Sequence, residues 1–158
     1  MSDAHLHIYL NDHLAGSAAA LELLAELRKQ GGLENWADQV RSEITQDREE
    51  LQRLMRDLNI VQSAARQAAA WLTEQLAELK TRLDDRSGGA LHRFELLEAL
   101  ALGIDGKRAL WTALQTAAVT VSALQAADYG HLIARADEQR RVVETRRLEA
   151  AAEALALG

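Results

Sequence analysis

Apolar residues return every three or four positions almost from end to end of this chain, and no proline interrupts them. That spacing puts them on one side of a 3.6-residue spiral, so the pattern predicts long amphipathic helices. The first covers residues 3–29, with Leu6, Leu10, Leu14, Leu21, Leu24 and Leu27 on its inner side and the small Gly16, Ser17 and Ala20 at its middle. Ser2 or Asp3 is expected to cap it, and Gly31–Gly32 to stop it. A second helix spans about 34–58, on the stripe Leu33, Trp36, Val40, Ile44, Leu51, Leu54 and Leu58, with Asn59 as its left-handed terminator. A third is expected over 61–83, before the loop signal Asp84-Asp85-Arg86-Ser87-Gly88-Gly89.

The fourth helix starts near Ala90 and turns Leu91, Phe94, Leu97 and Ala101 inward. Gly103 and Gly106 predict a bend or short break before Leu110, Trp111 and Leu114 resume the period. The β-branched Val119-Thr120-Val121 suits a connection. Asp128 then caps a fifth helix over about 129–157, whose inner face is read as Leu132, Ala136, Val142, Val143, Leu148, Ala152 and Leu155, with Glu144 pairing to Arg147 and Arg141. No alternating strand pattern competes. Helices of this length, roughly 35–45 Å at 1.5 Å per residue, joined by short loops, pack side by side. The expected fold is all-α: an up-down four-helix bundle with an additional helical segment, residues 1–158 forming one domain.

Composition narrows the function classes. The chain is 48% hydrophobic, 27% charged and only 4% aromatic, which suits a soluble helical domain rich in Ala and Leu. Net charge is −6, and basic residues occur only in short pairs such as Arg140–Arg141 and Arg146–Arg147, so nucleic acid is not an expected partner. No apolar run reaches the ~18–20 residues of a membrane span, and the start MSDAHLHIYLNDHL lacks the basic-then-apolar order of a signal peptide. A bacterial, cytoplasmic protein is expected. Without cysteine there can be no disulfide, thiolate metal site or cysteine nucleophile.

Helical bundles invite a test for paired metals, which need Glu-x-x-His on facing helices. The residues three before His5, His7, His13, His92 and His131 are Ser2, Ala4, Leu10, Gly89 and Asp128, so the motif is absent. Polar residues do interrupt the apolar stripes: His13 on the first, Glu43 and Asp47 on the second, Glu95 and Glu98 on the fourth. If metal binds, His13, Glu43, Asp47, Glu95, Glu98 and His131 are the candidate ligands for iron, manganese or zinc. The favoured expectation is that these side chains sit at groove edges and reach water, because buried carboxylates are costly unless paired. No serine has a nucleophile-elbow context, and Gly103-Ile104-Asp105-Gly106-Lys107 falls short of a phosphate loop, reading instead as a kink beside a basic residue. Trp36, Trp71 and Trp111 fall on three different helices, either as core or converging on an apolar pocket.

The run from Phe94 to Leu114, the segment from Leu132 to Leu155 and the YLNDHLAGSAAALELL stretch of the first helix resemble small bacterial ferritin-like helical-bundle proteins of no assigned function. The resemblance implies a ferritin-like four-helix bundle with an extra helical segment. It does not bring iron chemistry, since the glutamate–histidine pairs are missing, and it supplies no catalytic residue. The expected role is a non-enzymatic structural or interaction module, with a homodimer or protein partner allowed. Two alternatives stand beside it: a metalloprotein with a non-standard His/carboxylate site, and a small-molecule carrier with an interhelical pocket.

Overall fold

The computed structural model describes residues 2–62, 74 and 89–156, and the side chains from Ala4 onward. Among these residues the chain is all-helical: α1 (Ser2–Lys29), α2 (Glu34–Asp57), α3 (Ala90–Ala117) and α4 (Tyr129–Ala154), with a single 3₁₀ turn at Ser122–Leu124 and no strand. The side-chain caps proposed for Ser2 and Asp3, almost all of the predicted 61–83 helix, and Trp71 lie outside the described residues. None of the described helices is both long and apolar enough to cross a membrane.

The punctuation follows local chemistry. Gly31 and Gly32 take φ of 79° and 77°, and Asn59 takes φ of 56°, the left-handed geometry that ends a helix. Asp128 accepts a hydrogen bond from the His131 backbone N–H at 3.0 Å, capping α4. The expected break at Gly103 and Gly106 does not occur. α3 runs unbroken through Gly103 and Gly106, because two isolated glycines weaken a helix without removing any backbone hydrogen bond.

α3 packs most extensively on α4, and α1 packs on both α2 and α3. Ion pairs Arg108–Asp137, Arg140–Asp105 and Arg147–Glu98 step along α3 and α4 in opposite senses, so these two helices are antiparallel. Glu144 bonds Arg147 and, rather than Arg141, Arg140 one turn before it. The two guanidiniums hold its carboxyl down at about 2. Leu148 and Leu155, read as inward-facing, are 53% and 61% exposed. Ala150 takes the inner position at this level, and Leu148 is turned ~200° away from it at 100° per residue.

The core falls into two apolar halves. One gathers Leu24, Leu27, Val40, Ile44, Leu97, Leu100, Ile104, Ala136 and Val143. The other gathers Leu10, Leu14, Leu51, Leu54, Leu110, Trp111, Leu114 and Leu132. On α1 the seam lies between Leu14 and Ala20, on α2 between Ile44 and Leu51, and on α3 between Ile104 and Leu110. Those gaps hold Gly16 and Ser17, Asp47 and Arg48, and Gly106 and Lys107. The seam is where the molecule's chemistry collects.

Candidate functional site

Asp47 occupies an inward position of α2 and is only 3% exposed. Its burial is made tolerable by four N–H donors from two other helices. Arg135 donates to Oδ1 through Nε at 2.8 Å and through Nη2. Lys107 donates to Oδ2, and Gln139 donates to the same oxygen at 3.3 Å. A carboxylate offers about four lone-pair sites, so Asp47 is saturated. Gln139, itself 1% exposed, accepts from Lys107 and places its amide between Asp47 and Glu43, donating to Glu43 Oε2 at 3.2 Å. The like charges of Glu43 and Asp47, one turn apart, are thus bridged by an amide and offset by two cations. Burial pushes the Lys107 pKa below the ordinary lysine value, against the upward pull of Asp47, while nearby Arg135 lowers it further.

This corrects the expectation for Asp47. It was placed at a groove edge, in contact with water; it is buried, and protein donors replace the water. The sequence reading missed Lys107, Arg135 and Gln139. The signal was present: Lys107 lies at i+3 from Ile104 and i−4 from Trp111, and Gln139 falls between Ala136 and Val143 on the inner stripe of α4.

Beside this network lies a cavity of about 190 Å³, partly open to solvent and mostly apolar, between α1, α2 and α3. α1 contributes Asp12, His13, Gly16, Ser17 and Ala20; α2 contributes Ile44, Asp47, Arg48 and Leu51; α3 contributes Gly103, Ile104, Gly106, Lys107, Leu110 and Trp111. Three helix-interior glycines face this space. A Cβ built on Gly16, Gly103 or Gly106 would meet no heavy atom within 4 Å, so none is there to let two backbones touch. Trp111 is buried, and its indole N–H has no hydrogen-bond partner among the described residues. A buried N–H left unpaired costs about 1–3 kcal/mol, an uncommon loss in a native core.

No protein-family model, curated protein or solved structure matches this chain.

The six metal candidates do not assemble. His13 and Asp47 line one cavity, but Asp47 is spent on its four donors. Glu43 lies beyond Gln139, and Glu98 is exposed and pairs with Arg147. Glu95 is half-buried, with Oε2 unpartnered, and His131 is exposed at the start of α4. Among the described residues no group of three or more His, Asp or Glu side chains stands close enough to hold an ion. The two described tryptophans do not converge either: Trp111 belongs to one half of the core and Trp36 packs against the other.

His13 is half-buried on the cavity wall, with the Tyr9 ring edge-on at 4.6 Å. Burial lowers its pKa below the ordinary histidine value, and exposed Asp12 only partly offsets this. The imidazole is therefore neutral at pH 7. As pH falls below ~6.5 the unfolded chain takes up this proton before the folded one does, so the fold loses stability. His13→Gln is expected to remove that part of the acid limb. Urea midpoints at pH 7 and pH 5 for both proteins measure it; identical pH dependence would show that His13 titrates normally in the fold.

Proposed function

We propose that this protein is a non-enzymatic binding bundle, ferritin-like and up-down in topology, that holds one small, mostly apolar molecule between α1, α2 and α3. A bacterial cytoplasmic setting accompanies this reading. The cavity that three otherwise costly glycines hold open carries it. Glycine inside a helix costs about 0.5–1 kcal/mol relative to alanine, and here no close backbone contact repays that. A non-catalytic role fits the polar network, whose carboxylate is saturated and whose lysine is tied to Asp47 and Gln139.

Size sets the class of occupant. A cavity of ~150 Å³ in a helical protein is enough for benzene. About 190 Å³ therefore suits one ring with a single substituent. Haem, flavins and long acyl chains exceed it, being closer to the ~300–1,000 Å³ sites of larger ligands. Thermal unfolding with toluene, benzyl alcohol, benzamide and benzoate, set against haem, riboflavin and palmitate, tests the proposal. At a hundredfold excess over Kd a ligand adds about 2.7 kcal/mol, so the single-ring compounds are expected to raise Tm by several degrees. No shift with any of them, or a shift confined to the large compounds, refutes the assignment.

A further inference from the structure

Resting on the binding role just proposed, we infer that the molecule held in this cavity is a small single-ring carboxylate whose anionic head is bound by Arg48. The polar groups facing the cavity are unequally spent. Asp47 has its lone pairs filled by Lys107, Arg135 and Gln139. Ser17 donates its hydroxyl to the Leu14 carbonyl at 2.6 Å. Two donors remain open. One is the His13 imidazole, half-buried on the cavity wall with no hydrogen bond among the described residues. The other is Arg48, half-buried on the cavity wall, which makes no hydrogen bond or ion pair among the described residues.

Arg48 differs from the other unpaired arginines of α2. Arg41 and Arg56 are exposed, where water solvates the guanidinium fully. Arg48 gives up part of that hydration beside an apolar space and gains no counter-ion in return. A guanidinium presents a planar fork of donors that matches a carboxylate bidentately. Asp12, exposed on the rim, is the anion that could compete, yet the two form no ion pair. A donor-rich wall beside a void the size of one ring complements an acceptor-bearing ring, and a charged acceptor best balances Arg48.

Benzoate and benzamide separate the head group from the ring, since they share shape and differ in charge. Calorimetric titration of the intact chain is expected to show benzoate binding about tenfold tighter than benzamide. Arg48→Gln should erase that advantage, bringing benzoate down to the level of benzamide, while Arg48→Lys should keep part of it. Asp12→Asn should tighten benzoate. Because Arg48 has no partner to lose, its variants should unfold at the wild-type urea midpoint. Benzamide binding as tightly as benzoate, or benzoate binding that survives Arg48→Gln, overturns the inference and leaves the single-ring binding role standing. Benzylammonium outranking both would also overturn it, by assigning the head group to Asp12. Failure of every single-ring compound on the wild-type protein would overturn the binding role itself.

Discussion

Asp47→Ala is expected to destabilise the protein by about 3–5 kcal/mol, the largest loss expected from any single polar substitution among the described residues. The substitution removes one buried acceptor and takes a partner from the buried Gln139 and the half-buried Lys107 and Arg135. Lys107 already gives up part of its pKa to burial, and without Asp47 the cost of keeping its charge there rises. Against a total stability of ~5–15 kcal/mol for a domain, a loss of that size is severe. Urea unfolding of the wild type, Asp47→Ala and Asp47→Asn measures it. The asparagine variant keeps one acceptor oxygen and should fall between the two. Replacing Asp47, Lys107, Arg135 and Gln139 together with Leu or Met should recover most of the loss, because a buried ion network is costly to break and often neutral to replace. A loss below ~1 kcal/mol for Asp47→Ala would put this network in the energetic class of surface pairs.

The same residues show how far a sequence can be read. Helix boundaries were legible because they depend on neighbours in the chain: tandem glycine at 31–32, Asn59, and Asp128 three residues before the N–H it binds. The inner stripes were mostly legible, since a spacing of three or four needs no partner to be seen. Leu148 and Leu155 were misread because each stripe is wider than the surface that covers it, and only packing decides which edge stays dry. The polar network was half legible. Asp47 stood out as an acid among Val40, Ile44 and Leu51, but its fate depended on residues 60, 88 and 92 positions away. The period is blind to that kind of pairing. Lys107 was hidden further by its place after two glycines, which suggested a kink in place of a continuous helix face.

The glycines allow a prediction in which stability and binding move in opposite directions. Gly16→Ala, Gly103→Ala and Gly106→Ala, combined, are expected to stabilise the fold by about 1.5–3 kcal/mol, about 0.5–1 kcal/mol from each helix-interior position. None of the three added methyl groups meets a heavy atom within 4 Å, and none of the three positions has a positive φ, so neither collision nor backbone strain opposes the gain. Gly16, Gly103 and Gly106 line the cavity of about 190 Å³, which is little larger than a single ring needs, so the added methyl groups are expected to narrow it. Benzamide and benzoate binding should therefore weaken by tenfold or more while the urea midpoint rises. The opposite sign in stability would mean that these glycines serve close helix packing. A stabilised variant that still binds both compounds at full strength would mean that the binding site lies elsewhere on the molecule. Alanine at these positions would take up space that glycine leaves open beside Ile104, Lys107 and Trp111, which is why stability and the proposed binding are expected to move in opposite directions.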